Sequence, residues 1–513
     1  MAKIILSTLN STYQHSSFGL RYLRANLQDL REDSAIVEFT IAQKPEDIAE
    51  KILSESPLIL GFGVYIWNTQ ETLKVIQIIK KVAPEIVIVL GGPEVSYEAE
   101  GQDIVLASDY VIQGEADLQF YELCSQILNQ TRPETKIWKA QLPALDKLKS
   151  PYPEFTEADI QNRILYVEAS RGCPYKCEYC LSSLDLSVRN FPIDSFLEEI
   201  QQLISRGART FKFVDRTFNL SPKISTKILE FFLAQKELKL FLHFEMVPDR
   251  LPQELKVLIE KFPPGSLQFE IGIQTWNPQV AANVSRRQDY SKVKENLKYL
   301  KQYTKVHSHA DLIVGLPGEN LESFKLGFDQ LVDLEPDEIQ VGILKRLKGA
   351  PIARHDKAFK MNYASHPPFQ ILSTLDMTYS EIQQMARFSR FWDTVANSGN
   401  FQTLVKEVIV NNRQTNSSHF DFFKRLTDFM TQRHGQSHGI SLSNLTESLF
   451  VFLTQKEFWS EEKAKEILIH DYSLRGGRDI PKFLKSSIKV EKAPELMSKK
   501  SVTPKRQSRH LSH

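Results

Sequence analysis

The sequence has few cysteines, no excess of charge and no long apolar run. Only four of its 513 residues are cysteine, which argues against a framework of disulfide bonds. The net charge of +1 gives no general electrostatic reason to bind nucleic acid. No apolar run approaches the roughly 18 residues of a membrane-spanning helix. The first residues also become polar too early for a signal peptide. We therefore expect a cytoplasmic protein with no membrane partner.

Three of the four cysteines lie close together. Cys173, Cys177 and Cys180 are spaced C-x3-C-x2-C, directly after the apolar run 164–167. Iron–sulfur clusters are normally held by four thiolates, so three thiolates would leave one iron open to another ligand. A zinc site is the alternative, but no histidine or fourth cysteine lies at ligand spacing nearby. The spacing therefore predicts an iron–sulfur cluster in a reducing compartment.

The N-terminal region, residues 1–135, alternates short apolar strands with amphipathic helices. Strands are predicted at residues 3–9, 35–41, 58–64, 86–90 and 110–112. This alternation predicts a doubly wound, Rossmann-like parallel sheet, which binds its ligands at the carboxyl ends of the strands. No G-x-G-x-x-G motif follows the first strand, so the signal for a dinucleotide is weak.

Glycines follow two of these predicted strands. Gly91 and Gly92 come after the fourth strand, and Gly114 and Glu115 come after the fifth. Adjacent glycines would let a large, flat ligand approach the backbone closely, but they are also ordinary turn residues. The residues themselves leave both interpretations open.

Further domains are predicted beyond a linker rich in proline and charge, residues 136–160. Residues 161–355 contain six strands separated by helices, which predicts a partial (βα)6 barrel with ligands at the carboxyl ends of its strands. Residues 356–485 have a helical pattern rich in aromatic residues, which we expect to form a core. Residues 486–513 are basic and poor in apolar residues, which predicts a disordered tail. Such a tail is usually solvated, although it could also grip nucleic acid or an acidic carrier transiently.

Several motifs together resemble the radical S-adenosylmethionine superfamily. An aromatic residue, Tyr179, precedes the last cysteine of the C-x3-C-x2-C segment. The other motifs follow in order on the predicted strands: Asp215 to Asn219, Glu245, Glu270 to Gln274 and Asp311 to Glu319. The doubly wound domain with Gly91-Gly92-Pro93 and Gly114-Glu115 resembles the cobalamin-binding (B12-binding) class of that superfamily. The resemblance covers about residues 1–355.

The resemblance implies how a cluster and S-adenosylmethionine would be bound. Cys173, Cys177 and Cys180 would hold a 4Fe–4S cluster, and the amino acid part of S-adenosylmethionine would chelate the open iron. The implied contacts with S-adenosylmethionine are Tyr179 near the adenine, Asp215 or Asn219 at the amino group, Glu245 and Gln274 at the ribose or carboxylate, and Ile313 to Gly315 at the adenine edge. Alternatively, Asp215 and Glu270 are polar groups of the barrel interior, paired with Arg216 or another base. Arg216 and Thr275 depart from the family's usual residues.

The resemblance also implies a cobalamin site. Gly91, Gly92, Gly114 and Glu115 would contact cobalamin. His15 lies in the first strand-to-helix loop, where some corrinoid domains place a cobalt-binding histidine within D-x-H-x-x-G. The stretch from Tyr13 to Gly19 lacks the aspartate and shifts the glycine by one position. We therefore expect cobalamin to be bound without a histidine ligand from the protein.

The resemblance implies an enzyme, most typically one that methylates an unactivated carbon of its substrate, here unidentified. Its electron donor would be a flavodoxin or ferredoxin. A related enzyme that closes or rearranges rings without net methyl transfer is one alternative, and a non-catalytic cobalamin or redox sensor is another. A methylthiotransferase acting on transfer RNA would need further N-terminal cysteines, and only Cys124 remains. We therefore set that alternative aside.

Overall fold

A computed structural model of the chain describes residues 2–474, 480–484 and 505–510. The chain divides into two compact units. The first comprises Met1–Arg216, Lys345–Arg354 and Tyr363–Gln370, and the second comprises Thr217–Leu344, His355–Asn362 and Ile371–His513. Within the described ranges, no helix is both long and apolar enough to cross a membrane.

The first unit begins with alternating strands and helices. In chain order they are β1 (Ile4–Asn10), α1 (Phe18–Ala25), β2 (Ser34–Thr40), α2 (Pro45–Leu53), β3 (Ile59–Gly63), α3 (Thr69–Val82), β4 (Val87–Gly91), α4 (Pro93–Ser96), α5 (Asp103–Leu106), β5 (Tyr110–Gln113), α6 (Gln119–Leu128) and β6 (Ile137–Lys139). The strands form one parallel sheet in the order β2-β1-β3-β4-β5-β6. The order reverses between β1 and β3, as it does in doubly wound sheets.

The central strand β1 is buried on both faces because its apolar side chains alternate in direction. Ile5 and Leu9 pack with residues of α2 and α3, whereas Ile4 and Leu6 pack with residues of α1 and α6. Each fully buried side chain of this size contributes about 1.5–3 kcal/mol to folding. The sheet is therefore covered by helices on both sides, as the sequence predicts.

The segment predicted as a linker packs closely against the N-terminal elements. It contains β6 and most of α7 (Glu157–Asn162). Arg21 of α1 is 2% exposed and donates hydrogen bonds to Glu38 (3.0 Å) and Asp159 (2.9 Å). Arg24 of the same helix pairs with Glu154. A buried guanidinium needs carboxylate partners. This segment supplies Asp159 to Arg21 and Glu154 to Arg24.

The first unit ends with a short two-stranded ribbon and the first strands of the second parallel sheet. These elements are β7 (Leu165–Val167), β8 (Ser170–Arg171), β9 (Arg189–Asn190), α8 (Ile193–Ser205) and β10 (Thr210–Phe213). Strands β7 and β10 are parallel neighbours. Strands β8 and β9 are antiparallel, and the three-cysteine segment lies between them in the chain.

The second unit continues the strand–helix alternation. Its elements are α9 (Pro222–Leu233), β11 (Phe241–Met246), α10 (Gln253–Ile259), β12 (Leu267–Gln274), α11 (Pro278–Asn283), α12 (Tyr290–Tyr303), β13 (His307–Val314), α13 (Leu321–Asp333) and β14 (Glu338–Ile343). Strands β11 to β14 are parallel and pair in chain order. The chain thus contains the six strand–helix repeats predicted for a partial barrel.

The C-terminal part is mainly helical. Its elements are β15 (Asn362–Tyr363), β16 (Ile371–Ser373), α14 (Tyr379–Trp392), α15 (Gln402–Thr415), α16 (His419–His434), α17 (Leu442–Gln455), α18 (Glu461–Ser473) and α19 (Lys505–His510). The aromatic side chains of α14 and α16, including Phe388, Trp392 and Phe420, are buried and contact one another. The predicted fold class and the aromatic core are confirmed.

Side chains of the helical region bind the outer edge of β14. The side-chain oxygen of Asn397 accepts from the Ile339 amide (3.0 Å), and its side-chain nitrogen donates to the Ile339 carbonyl (2.8 Å). Trp392 donates to the same carbonyl, and Ser389 donates to the Val341 carbonyl. These bonds satisfy backbone groups that an exposed edge strand would leave unpaired.

Part of the tail expected to be disordered forms the helix α19. Arg506 pairs with Glu338 (2.7 Å) and Asp393 (2.6 Å). Glu338 has a side-chain exposure of only 1%, so a cation from the tail compensates a buried carboxylate. For residues 505–510 the structure therefore replaces the predicted disorder by a docked helix. The rest of the predicted tail, residues 486–504 and 511–513, lies outside the described residues.

Candidate active site

The three cysteines follow β8 in a tight turn. Gly172 has a φ of +94°, and a Cβ atom there would lie 1.8 Å from the Ser187 carbonyl oxygen. Only glycine fits this position. The next amide, that of Cys173, donates to the Asp185 carbonyl (3.0 Å), which fixes the start of the segment.

The three thiols share one site. Cys173 and Cys177 are buried, and Cys180 is partly exposed. Burial raises the pKa of Cys173, and the nearby thiols of Cys180 and Cys177 raise it further.

Three thiolates can bind either an iron–sulfur cluster or a zinc ion. Among the residues that the structure describes, no three histidine, cysteine or acidic side chains are placed to hold a single metal ion. A mononuclear zinc site brings its ligands to within about 2.3 Å of one atom. In a 4Fe–4S cluster each thiolate binds a different iron, so the sulfur atoms are farther apart.

The predicted cobalamin residues line one cavity of the first unit. The cavity has a volume of about 490 Å³ and lies at the carboxyl ends of β3, β4 and β5. Its walls include Gly91, Gly92, Gly114 and Glu115, together with aromatic side chains such as Tyr65. The structure thus brings together four residues that the sequence places in two separate loops.

The two adjacent glycines have different roles. Gly92 has a φ of +104°, and a Cβ atom there would lie 2.5 Å from the Val64 carbonyl oxygen, so the turn itself requires glycine. A Cβ atom on Gly91 would meet only the Ile112 carbonyl oxygen, at 3.8 Å. Gly91 is therefore not required by the protein's own packing, and its missing side chain leaves room for a ligand. This cradle fits a large, flat group such as a corrin.

Glu115 is held by two arginines. Arg171 donates to it at 2.7 Å, and Arg189 pairs with its other oxygen. Arg171 also bonds Asp117 (3.0 Å) and Glu168 (2.9 Å). Burial raises the pKa of Glu168 to about 7. The sequence analysis missed this charged cluster, although Arg171 lies only two positions before Cys173.

Asp215 is tied to the strand end that precedes the cysteines. Its carboxylate accepts from the Ala169 amide (3.0 Å) and the Ser170 hydroxyl (2.6 Å). Burial raises its pKa to about 6. The next residue, Arg216, lines the glycine cavity. Tyr179, between the last two cysteines, is partly buried.

Asn219 lies in the second unit and is 1% exposed. Its amide nitrogen donates to the Val247 carbonyl (2.9 Å), and its oxygen accepts from the Val247 amide (2.8 Å). It also bonds the Arg250 carbonyl. Because these contacts occupy the amide group, Asn219 is better suited to holding the segment after β11 than to binding S-adenosylmethionine.

The other predicted contacts lie on the strands of the second unit. Glu245 of β11 is the register partner of Glu270 of β12, whose carboxylate is 2.9 Å from the His243 imidazole. Gln274 ends β12 with a φ of +71°. Ile313 is partly buried near the end of β13, and the buried Gly315 follows the strand. The four predicted contacts all lie in the carboxyl-terminal halves of their strands or directly after them: Glu245, Gln274, Ile313 and Gly315. Their binding to S-adenosylmethionine stays a prediction.

His15 is outside the set of residues that line the glycine cavity. It lines another cavity of the first unit, of about 430 Å³, together with Tyr65, Trp67 and Tyr166. Its Nδ1 atom lies 2.6 Å from the Tyr166 hydroxyl. The absence of a histidine ligand to cobalt stays a prediction.

Three family models match the chain. The model of the B12 binding domain matches residues 5–124, and the Radical SAM superfamily model matches residues 167–329. A family described as "Protein of unknown function (DUF4080)" matches residues 357–511.

Similar proteins include two curated methyltransferases. The cobalamin-dependent radical SAM methyltransferase TokK of Streptomyces tokunonensis is 24% identical over 61% of this chain and 50% of its own length. The 2-(S-pantetheinyl)-carbapenam-3-carboxylate methyltransferase of Streptantibioticus cattleyicolor is 24% identical over 59% of this chain and 49% of its own length. The chain thus spans about half the length of the curated relatives it matches.

A solved structure shares the fold. The radical S-adenosylmethionine methyltransferase TsrM of Kitasatospora setae matches with a TM-score of 0.58 and 15% identity, over 72% of this chain and 80% of that chain. The cofactors of the matched domains are a 4Fe–4S cluster, S-adenosylmethionine and cobalamin. The chain thus carries a B12-binding domain, a Radical SAM domain and a C-terminal DUF4080 domain, and it is similar to cobalamin-dependent radical SAM methyltransferases.

Proposed function

We propose that this protein is a cobalamin-dependent radical S-adenosylmethionine methyltransferase that methylates an unactivated carbon of its substrate. One observation carries the proposal: the glycine cavity and the cysteine segment meet within one compact unit. The cavity wall includes Glu168 and Arg171, and Arg171 directly precedes Gly172 and Cys173. Two cofactor sites this close suit a reaction that uses both cofactors.

The chain's own residues supply binding and positioning. Cys173, Cys177 and Cys180 would hold the cluster, and the space beside Gly91 would receive cobalamin. When bound, these cofactors supply the electron transfer and the methyl transfer, and the protein orients them and excludes water. Cobalamin would have no histidine ligand from the protein, since His15 lines a different cavity and lies against Tyr166.

The proposed contacts with S-adenosylmethionine come from strand ends, where barrels of this type bind their ligands. They involve Tyr179, Asp215, Glu245, Gln274, Ile313 and Gly315. Asp215 can act by accepting a proton or a hydrogen bond, because its pKa of about 6 is near neutrality. Asn219 would act by holding the neighbouring backbone.

Two other functions use the same sites. A cyclase or rearrangement enzyme would need the same cluster and cobalamin without net methyl transfer, and a sensor would bind them without turnover. The similarity to two curated methyltransferases favours an enzyme over a sensor. A cytoplasmic flavodoxin or ferredoxin would supply electrons, in keeping with the reducing compartment that the sequence predicts.

Product analysis tests the proposal. Protein reconstituted anaerobically with iron, sulfide and hydroxocobalamin is incubated with S-adenosylmethionine and a reductant, and the products are separated by liquid chromatography. We expect S-adenosylhomocysteine together with 5′-deoxyadenosine, and no 5′-deoxyadenosine from the Cys173→Ala variant. Formation of 5′-deoxyadenosine alone would support the cyclase or rearrangement reaction, and the absence of both products would contradict catalysis.

A further inference from the structure

We propose that Arg171 and Arg189 are positioning residues that clamp Glu115 of the cavity wall to the cysteine segment. The clamp would hold the cluster and cobalamin at a fixed separation. This inference rests on the proposed function, because it assumes that both cofactors bind. It assigns Glu115 a different role from a direct cobalamin contact.

The clamp is built from opposed charges with little exposure to water. Arg171 contacts Glu115 at 2.7 Å and Asp117 at 3.0 Å, and its side chain is 13% exposed. Arg189 pairs with the second oxygen of Glu115. A carboxylate held by two guanidinium groups has a fixed orientation, because each planar fork imposes its own geometry.

Both arginines belong to the ribbon that frames the cysteine segment. Arg171 of β8 and Arg189 of β9 are register partners. Arg189 also bonds Asp185 (3.2 Å), whose carbonyl accepts from the Cys173 amide (3.0 Å). The path from the cavity wall to the first cluster ligand therefore runs through Glu115, Arg189 and Asp185, with every step a hydrogen bond or an ion pair.

Aromatic rings fix the position of Arg171. Its guanidinium carbon lies 4.5 Å from the ring centre of Tyr22 and 5.8 Å from that of Phe191. Tyr22 itself lines the glycine cavity. A lysine at position 171 would keep the charge but lose both the stacking and the bidentate geometry.

The segment Lys345–Arg354 connects the cysteine segment with a second loop beside the cavity, the one that follows β4. Lys348 pairs with Glu94, which follows the turn at Gly92 (2.8 Å). The Ile352 amide donates to the carbonyl of Glu178 (2.9 Å), and Arg354 pairs with the Glu178 carboxylate (2.5 Å). Glu178 lies between Cys177 and Cys180. Cavity and cysteine segment are thus joined twice, which is the arrangement expected where their separation matters.

The test compares Glu115→Gln, Arg171→Lys and the double variant with wild type. The control is Glu71→Gln, which removes a surface ion pair with Lys74 in the same unit. Each protein is reconstituted with iron, sulfide and hydroxocobalamin and then reduced in the presence of S-adenosylmethionine. Electron paramagnetic resonance reports the cluster environment, and an absorbance titration gives the affinity for hydroxocobalamin.

We expect both single variants to shift the cluster's resonance signal in the same way. The double variant should shift it by less than the sum of the two single shifts, because both substitutions weaken the contact between Arg171 and Glu115. The affinity for hydroxocobalamin should stay within about twofold of wild type, because the proposed clamp positions the cysteine segment and Glu115 makes no direct contact with cobalamin. The control should resemble wild type in both measurements.

Three outcomes would overturn the proposal. One is a wild-type signal in both single variants, and another is an additive effect in the double variant. The third is an affinity weakened tenfold with an unchanged signal, which would make Glu115 a direct cobalamin contact.

If these variants fail to assemble a cluster, Arg189→Lys provides the milder test, and an unchanged signal there would equally contradict the clamp. Failure of the proposed function is recognisable separately, because wild type itself would then lack cluster or cobalamin.

Discussion

The carboxyl group of Glu319 shows how burial controls the ionisation of a single residue. Its side chain is 2% exposed, and it accepts a hydrogen bond from the Thr275 hydroxyl (2.7 Å). Burial raises its pKa from 4.5 to about 7. The native state thus binds the proton more tightly than the unfolded state, so stability is lost as the pH rises from about 4.5 through 7.

Glu319→Gln should remove this dependence on pH. The neutral amide avoids the cost of a buried charge, which corresponds to about 3 kcal/mol for a shift of this size. The free energy of unfolding of the variant minus that of wild type should increase from pH 5 to pH 8. Urea unfolding followed by circular dichroism measures both values. An equal difference at both pH values would contradict the assigned ionisation.

The turn before the cysteine segment leaves no space for a side chain at Gly172. Gly172→Ala would place a methyl group 1.8 Å from the Ser187 carbonyl oxygen, so the turn before Cys173 would have to open. We expect the reconstituted variant to lose most of its iron. Gly207→Ala is a matched control, because Gly207 has a similar φ of +106° but open space where the Cβ would stand. Equal iron content in the two variants would contradict this role.

Some site residues can be predicted from the sequence because their spacing is local. The thiols of Cys173, Cys177 and Cys180 lie in one turn, so their grouping follows from the chain itself. Arg189 gives no such signal, since its partner Glu115 is 74 positions away and is reached only through the fold. The contact of Asp215 or Asn219 with S-adenosylmethionine stays a prediction, whereas the hydrogen bonds of Asn219 to the Val247 backbone become visible only in the fold.

At the level of elements, the edge of β14 is completed by side chains and not by another strand. Asn397 is 2% exposed and bonds both the amide and the carbonyl of Ile339. Asn397→Ala would leave the Ile339 amide without that partner, at a cost of about 1–3 kcal/mol for a buried group, whereas the carbonyl would keep its bond from Trp392.

We expect Asn397→Ala to speed hydrogen exchange at the Ile339 amide and to lower the urea midpoint of unfolding. Asn411→Ala, on α15, is the control, because that position is more exposed. If the Ile339 amide exchanges at the same rate in both variants, Asn397 does not seal the edge.

The parallel strands could be predicted because apolar residues repeat with clear periods. The short ribbon β8–β9 and the segment Lys345–Arg354 could not, because ion pairs between distant residues hold them. Arg346, for example, bonds Glu98, 248 positions earlier in the chain. The segment 136–160 looks like a linker in composition, yet its Glu154 and Asp159 pair with arginines of α1.

At the level of the whole molecule, two separate sets of residues would hold the two cofactors. The cysteine segment would hold the cluster, and the cavity beside Gly91 would hold cobalamin. The two sets are joined by the clamp of Arg171, Arg189 and Glu115, but neither set supplies direct ligands for both cofactors. Substitutions in each set should therefore remove different cofactors.

The most direct test is the iron and cobalamin content of three reconstituted proteins. Wild type should contain about four irons per chain, as a 4Fe–4S cluster requires, and one cobalamin. Replacing Cys173, Cys177 and Cys180 by alanine should remove the iron and leave cobalamin bound, whereas Gly91→Leu should fill the cavity and remove cobalamin while iron remains. Wild type lacking either cofactor, or a variant without the three thiols that keeps its iron, would contradict the account.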